Sequence, residues 1–324
     1  MFKYLVRRMA SLVPVIIMIS ILLFSLVKIM PGDPIKGMIN PNIKDPVLYQ
    51  ETYKRIEAQF GMDKSLPEQY IRWVGRTVSG DLGYSTKYNK PVIDVIAKPM
   101  KNTVVLNLIS FVISFVISIF VGIYSAVKRG GWFDKIWQVI SLVGMSLPVV
   151  LIGLMLIYIF AGKLKWFPSS GAGAGQGKVG LAYALDWLNS MALPIFAITI
   201  GSFASIIRYV RNAMIDVLSS DYIRTARAKG LSNKVVIYSH AFRNALIPVV
   251  TIVAGSLAGL FSGAAITESI FSIDGIGKIL VEAVTNRDFM MVLALNMFFA
   301  SLSLIANIIM DIGYALVDPR VKLD

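Results

Sequence analysis

The sequence contains no cysteine, and its only histidine is His240. The lack of cysteine excludes disulfide bonds, cysteine-based zinc sites and thiol nucleophiles. A single imidazole excludes a multi-histidine metal site, so we expect no metal to be bound by this chain. Charged residues are also scarce: they make up 16% of the 324 residues, whereas an ordinary soluble domain carries about 25%.

Apolar residues make up 56% of the chain, and the mean hydropathy is +0.68. They are concentrated in charge-free runs of at least about 18 residues, the length that indicates a membrane-spanning helix. Six such runs occur: 9–27, 102–127, 136–162, 187–207, 244–267 and 289–310. We therefore predict an all-α membrane protein with six transmembrane helices. The first run is expected to be an anchor rather than a cleaved signal peptide, because no small-x-small cleavage site follows it.

None of the six runs contains an aspartate or glutamate. Proton-coupled carriers usually bury ionisable groups near the middle of the membrane, so this absence disfavours a secondary carrier. It also removes the paired aspartates that an intramembrane aspartyl protease would need. Glu268 and Asp311 lie at the ends of runs, where we expect an interfacial role.

The formal net charge is +13, which fits either nucleic-acid binding or basic loops beside a membrane. The hydrophobicity favours the second reading, and no nucleic-acid partner is predicted. With a cytoplasmic N-terminus, the four inner segments hold 15 Lys and Arg residues and the two short outer loops hold 5. The positive-inside rule therefore predicts that both termini are cytoplasmic.

Residues 31–101 are predicted to form a small helical insertion outside the cytoplasm, between a first helix at 1–30 and a five-helix core at 102–317. A tail at 318–324 follows. One predicted helix ends at Gly61 and carries Leu48, Thr52, Ile56 and Phe60 four residues apart. The next is expected to start with a capping box at 65–68 and to carry Ile71, Val74 and Val78 on one face.

The cytoplasmic loop 214–243 is basic and has the signals of two short helices. Ser219, Ser220 or Asp221 can cap the first helix, and Asp221 is placed to pair with Arg224. Gly230 is predicted to end this helix in a left-handed conformation, and Ser232 can cap a second helix that runs toward Arg243. A helix–turn–helix that binds DNA would have a similar local pattern. Because both ends are tied to membrane spans, a rigid knob that a cytoplasmic partner grips is the better interpretation.

The basic residues of the knob favour an acidic partner surface, and small residues at 226, 228 and 230 would allow that surface to approach closely. The alternative interpretation is a solvated basic loop that only follows the positive-inside rule.

Residues 222–232 and 240–246 resemble the EAA coupling loop of binding-protein-dependent ABC importers, in particular the peptide/nickel branch. Arg224 and Thr225 stand where the general pattern has Glu-Ala, and Arg243 stands in place of its proline, which is usual in that branch. Further similar stretches lie at 31–34, 61–70, 80–83, 268–277, 286–288 and 318–320. Asp274 departs from the proline that is common at its position.

The resemblance implies the B-type membrane subunit of a dipeptide or oligopeptide permease, with the type I importer fold, in the bacterial cytoplasmic membrane. It implies a related second permease, two cytoplasmic ATPase subunits, an external substrate-binding protein and a peptide substrate. The residues implied in ATPase coupling are Asp221, Tyr222, Arg224, Thr225, Ala226, Arg227, Ala228, Lys229, Gly230, Leu231 and Arg243. The chain is then not an enzyme: it binds no cofactor, and ATP and magnesium belong to its partners.

Residues 172–179 come near a Walker A motif, but Ala172 and Val179 stand where that motif needs glycine and Ser or Thr. We interpret them as a flexible glycine-rich loop. Gly255, Gly259 and Gly263 share one face of the fifth predicted span, which is consistent with ordinary helix packing or with a sliding face beside the translocation path. Nickel import by the same architecture, or a stand-alone channel or carrier, remain the alternative functions.

The predicted orientation can be tested by cysteine labelling, because the chain has no native cysteine. Cysteines at Ser79 and Ser170 should react with an impermeant thiol reagent added to intact cells, and a cysteine at Ser232 should not. Labelling of the Ser232 position alone would contradict this orientation.

Overall fold

The computed structural model describes residues 2–33, 35–36, 39–40, 42–245, 255–256, 259–261 and 264–317. The first part of the chain forms helices α1 (Phe2–Ile29), α2 (Pro46–Phe60) and α3 (Leu66–Val78) and a short antiparallel hairpin of β1 (Tyr84–Ser85) and β2 (Lys90–Pro91). The middle part forms α4 (Val92–Val127), α5 (Trp132–Ser146), α6 (Val149–Leu156), a π-helix π1 (Ile157–Lys163) and α7 (Gly180–Leu218). The last part forms α8 (Asp221–Ala228), a second π-helix π2 (Val235–Phe242), α9 (Ala265–Ile270), α10 (Ile276–Thr285) and α11 (Phe289–Val317).

Four described helices are long and apolar enough to cross a membrane. They contain the predicted first, second, fourth and sixth runs, at Arg7–Ile29, Val92–Val127, Gly180–Leu218 and Phe289–Ile312. The predicted fifth run, 244–267, lies largely outside the described residues. The described part of the chain therefore supports a multi-pass helical membrane protein.

The predicted third run is not one continuous helix. Helix α5 and the α6–π1 segment meet at an angle of 103°, so the run is at most a broken span. The break falls at Leu147, whose backbone is extended with ψ 127°. Pro148 follows, and a proline disfavours helical geometry in the residue before it and cannot donate a backbone hydrogen bond.

The centre of the structure is a close seam between α4 and α7. One face of α4 buries small polar residues at intervals of four: Ser110, Ser114 and Ser118, followed by Gly122. A Cβ atom at Gly122 would lie 2.8 Å from the side chain of Val210. The Ser118 hydroxyl donates to the Phe203 carbonyl of α7 at 3.2 Å. Small residues permit this close approach of helices in lipid, where hydrophobic burial does not drive them together.

Three ion pairs among the described residues join segments that are distant in sequence: Arg211–Asp134, Arg8–Asp311 and Lys87–Glu282. Arg211 of α7 donates two hydrogen bonds to the fully buried carboxylate of Asp134, at 2.6 and 2.8 Å. Asp134 also accepts the backbone N–H of Gly130, so α7 is fixed to the turn between α4 and α5. Arg8 donates to Asp311 at 2.6 Å, which links the first and last described helices.

Glu268 is fully buried, so the interfacial role expected for it is wrong. Its carboxylate accepts hydrogen bonds from the Thr103 hydroxyl at 2.8 Å and from the backbone N–H groups of Ala264 and Lys278. A Cβ atom at Gly275 would collide with this carboxylate. Glu268 therefore fastens the turn between α9 and α10 onto α4, and this turn requires a residue without a side chain.

The segment 31–101, predicted to be an insertion outside the cytoplasm, only partly follows its sequence signals. Gly61 ends α2 in the left-handed conformation, with φ +67°, as predicted. The predicted capping box is wrong, because the Ser65 side chain makes no capping hydrogen bond. Ile71 and Val78 are not buried against the chain; they are 68% and 83% exposed. Instead, Tyr70 and Trp73 pack α3 against Phe24 of α1.

The hairpin that follows α3 is fastened to the start of α11. The fully buried carboxylate of Asp288 accepts hydrogen bonds from the Ser85 hydroxyl, the Lys87 N–H and the Met291 N–H. Next to it, burial of Glu282 opposes ionisation, but hydrogen bonds from Lys87 and Tyr88 outweigh this effect and lower the pKa of Glu282. These contacts explain why residues 80–91 and 282–291, although far apart in sequence, form one cluster.

The buried ion pair between Arg211 and Asp134 predicts that the folded protein loses much of its stability when one partner is removed. Asp134→Ala would leave the Arg211 guanidinium, 14% exposed, without its carboxylate. We expect a loss of about 3–5 kcal/mol, measured as a drop in the thermal unfolding midpoint of the purified protein in detergent. Lys178→Ala removes the exposed Lys178–Asp186 pair and should cost at most about 1 kcal/mol. Equal effects of the two changes would contradict the structural role of the Arg211–Asp134 pair.

Candidate coupling site

Helix α8 follows α7 after a tight turn. The Ser220 hydroxyl donates to the Val217 carbonyl at 2.6 Å, so it satisfies the end of α7 and does not cap α8. Asp221 occupies the first turn of α8, where its charge complements the N-terminus of the helix. Of the ion pairs among the described residues, none joins Asp221 to Arg224, so the predicted pairing of these two residues is wrong.

The end of α8 is set by Gly230, as the sequence predicts. Gly230 has φ +75°, and its N–H donates to the Arg227 carbonyl at 3.0 Å. The Leu231 N–H donates to the Ala226 carbonyl at 3.4 Å. These two bonds form a Schellman motif, which requires a left-handed residue at this position. The chain then turns into the helical segment that contains π2, and Val236 N–H donates to the Ser232 carbonyl at its start.

One face of α8 rests on the core of the chain. Ile223 is fully buried and Ala226 is 8% exposed. They belong to an apolar cluster formed by the ends of α4 and α7 together with π2: Ile123, Ala126, Ile206, Val210, Met214, Val236, Ala241 and Ala245. Ala226 is therefore a packing residue against its own chain, and the expectation that it gives a partner room to approach is wrong.

The other face of α8 is open and basic. We call it the knob surface, and it comprises Tyr222, Arg224, Thr225, Arg227, Ala228, Lys229, Gly230 and Leu231, all of which are exposed. The side chains of Arg224, Arg227 and Lys229 form no ion pair with any residue that the structure describes. Tyr222 and Leu231 add exposed apolar area, 49% and 40% exposed respectively. This combination suits a concave surface that carries carboxylates and an apolar floor.

The helix that carries the knob surface, α8, directly follows a long membrane helix. Helix α7 runs without interruption over 39 residues from Gly180 to Leu218, a length of about 58 Å. Ile223 and Ala226 of α8 belong to the same buried apolar cluster as residues of π2, α4 and α7. Helix α8 is therefore packed against its own chain rather than joined to it by a loop alone.

The second predicted helix of the loop is present, but the sequence does not predict its π-helical geometry. Residues Val235–Phe242 are π-helical, and His240 lies within this segment. Arg243 follows immediately and is exposed, beside but outside the knob surface. Single-turn π-helical features are frequent at functional sites, but no residue pattern in this segment distinguishes the π form from an ordinary α-helix.

Neither the glycine face predicted for the fifth span nor the glycine-rich loop forms a binding site among the described residues. Gly255 and Gly259 are exposed, and no described atom lies within 4 Å of where a Cβ would stand on either; Gly263 lies outside the described residues. In the glycine-rich loop, Lys178 pairs with Asp186 of α7, and the Gly171 N–H donates to the Phe271 carbonyl at 2.7 Å. Lys178 therefore holds the glycine-rich loop against its own chain.

Long apolar helices around a close seam define an integral membrane protein, and an exposed basic helix lies at the end of that seam. A structural comparison gives the fold more specifically. A chain of the MetNI methionine ABC transporter, in inward-facing conformations, matches with a TM-score of 0.52 at 18% identity. The match covers 70% of this chain and 97% of the MetNI chain, and the shared fold is that of a type I ABC importer permease.

Sequence comparisons identify the family. The model of the binding-protein-dependent transport system inner membrane component matches residues 118–323, and the model of its N-terminal membrane component matches residues 1–107. The chain belongs to this family of inner membrane components.

Three relatives with curated descriptions match this chain over 99% or more of their own length. A putative peptide permease protein of Brucella suis biovar 1 is 36% identical over 324 residues, which is 100% of both chains. The oligopeptide transport system permease protein AppB of Bacillus subtilis is 34% identical over 99% of this chain and 100% of its own. The glutathione transport system permease protein GsiC of Escherichia coli K12 is 32% identical over 99% of each chain.

The two alanines of α8 give a matched test of the site geometry. Ala226→Leu adds volume inside the apolar bed and should destabilise the folded protein by about 1–3 kcal/mol, because Ala226 is buried. Ala228→Leu adds the same volume on the exposed face and should leave the thermal unfolding midpoint nearly unchanged. The ranking is measured by thermal unfolding in detergent, and the reverse ranking would contradict this placement of α8.

Proposed function

We propose that this chain forms half of the translocation pathway of a peptide importer and couples it to ATP hydrolysis by two partner ATPase subunits. The observation that carries the proposal is the knob surface, in which three exposed cations form no ion pair with a described residue and whose helix is packed into an apolar cluster with π2 and the ends of α4 and α7. A solvated loop that only follows the positive-inside rule would not need to pack against buried apolar residues. The proposed partner surface is a cleft with carboxylates at its rim.

Coupling follows from the rigidity of the contacts. The ATPase cleft grips Tyr222, Arg224, Arg227 and Lys229, and its movement on ATP binding carries α8 with it. Because Ile223 and Ala226 share one buried apolar cluster with residues of π2, α4 and α7, this movement changes how α4 and α7 lie in the membrane. The chain itself supplies no ATP chemistry; ATP and magnesium are bound by the partners, and a related second permease completes the pathway.

Peptides are the proposed cargo because the relatives that match over their full length are described as peptide, oligopeptide and glutathione permeases. An external substrate-binding protein delivers the cargo, in keeping with the binding-protein-dependent family. The sequence left two alternatives open: nickel import, and a stand-alone channel or carrier. No observation on the described residues favours either of them.

The test uses the backbone conformation of Gly230. Valine at a left-handed position costs about 1–2 kcal/mol, and no described atom lies within 4 Å of the new Cβ, so the strain would act on the backbone alone. Gly230→Val should misalign the end of α8 while the protein still inserts into the membrane. We expect weak recovery of the ATPase subunits, or ATP hydrolysis without import, measured by pull-down and peptide uptake.

Gly177→Val is the matched control. Gly177 has φ +71°, and no described neighbour lies within 4 Å of its Cβ position, but it belongs to the glycine-rich loop far from α8 in sequence. This control should retain ATPase recovery and coupling. Arg224→Glu should weaken docking less than Gly230→Val, because an exposed charge pair contributes only about 0.2–1 kcal/mol. Normal ATPase recovery and normal uptake with Gly230→Val would refute the coupling role of this loop.

A further inference from the structure

Helix α3 carries an apolar stripe that the described residues leave largely uncovered. Ile71 and Val78 are exposed, and Val74 between them is half-buried. Their spacing of three and four residues places them on one side of the helix. An apolar stripe of this kind needs an explanation when it lies on a helix whose other sides are packed or polar.

The contacts of α3 with α1 indicate how deep this helix lies. The hydroxyls of Tyr70 and Ser20 are 2.7 Å apart, and Trp73 stacks on Phe24 with ring centroids 5.8 Å apart. Phe24 and Ser20 lie five and nine residues before Ile29, where the span Arg7–Ile29 ends. These positions are about 7 and 13 Å below that end along the helix axis. Half of a hydrocarbon core is about 15 Å, so α3 contacts α1 at the depth of one leaflet.

The polar residues of α3 lie on the side of the helix opposite the stripe. Gln69, Arg72 and Arg76 line a cavity of about 110 Å³ together with Lys28, which lies one residue before the end of α1, and with the apolar side chains of Phe24 and Trp73. On a helical projection Gln69, Arg72 and Arg76 lie opposite the stripe of Ile71, Val74 and Val78. Apolar residues on one side of a helix, cations on the opposite side, and a tyrosine and a tryptophan between them are the pattern of an interfacial amphipathic helix.

We propose that α3 lies in the membrane, with its stripe of Ile71, Val74 and Val78 against the acyl chains of the leaflet at the Ile29 end of α1. In the predicted orientation this is the outer leaflet. Met18, Ile21 and Leu22 of α1 are exposed and apolar as well. The occupant of the stripe is therefore the bilayer, and the insertion is anchored beside the first span rather than held free in the periplasmic solvent. This proposal depends on the membrane placement of α1 and not on the coupling role of α8.

The test measures which medium surrounds each side of α3. Single cysteines at Ile71 and Val78, and at Arg76 as the matched polar position, are spin-labelled in the complete importer complex in lipid nanodiscs. Collision of the label with oxygen, which concentrates in the bilayer, is compared with collision with a water-soluble nickel chelate. Labels at 71 and 78 should shift toward oxygen, and the label at 76 should shift toward the nickel chelate. Val74 supplies a third stripe position if one variant does not assemble.

Two results would overturn the proposal. Access of the nickel chelate to positions 71 and 78 equal to that at 76 would place the stripe in water. Protection of 71 and 78 from both reagents would mean that a protein covers the stripe, either the second permease or the binding protein. Each result can be obtained whether or not Gly230→Val uncouples transport, so failure of this proposal is distinguishable from failure of the proposed function.

Discussion

Close approach of α4 to α7 is the constraint on which the remaining architecture depends. In a bilayer the hydrophobic effect does not draw helices together, so they associate through close packing and hydrogen bonds. The serines at 110, 114 and 118 and the glycine at 122 provide that packing on α4. Immediately beyond Gly122, Ile123 and Ala126 contribute to the apolar bed that holds Ile223 of α8. The knob surface is therefore built on the end of the same seam, and its position depends on how closely the two helices meet.

Part of this fold could be predicted from composition because its signals are local. Long charge-free runs predict spanning helices. A glycine that follows a helical pattern predicts the end of that helix, and Gly61 and Gly230 have the expected left-handed conformation. The break at Pro148 could not be predicted in this way. Pro14, Pro99 and Pro194 lie inside α1, α4 and α7 without ending them, so a proline within an apolar run does not by itself indicate a bend. Whether the helix continues depends on what the neighbouring elements pack against.

The candidate site shows the same division between local and long-range information. The exposure of the basic residues of α8 follows from their charge. The burial of Ala226 does not, because it depends on which side of an eight-residue helix meets π2 and α7. Glu268 is a sharper case: its carboxylate is satisfied by Thr103, 165 residues earlier in the chain. No periodicity in the sequence indicates a contact over that separation, and the position beside a charge-free run favoured the opposite interpretation.

The sharp bend between α5 and α6 has a consequence for what surrounds it. Each end of a helix leaves backbone carbonyls or N–H groups without an intrahelical partner, and the 103° break places two such ends inside an apolar run. Hydrocarbon offers no hydrogen bonds to these groups, and irregular backbone within a membrane is tolerated only against protein or water. If this run crosses the membrane as a broken span, the corner at Leu147 and Pro148 has to face protein or water and not lipid.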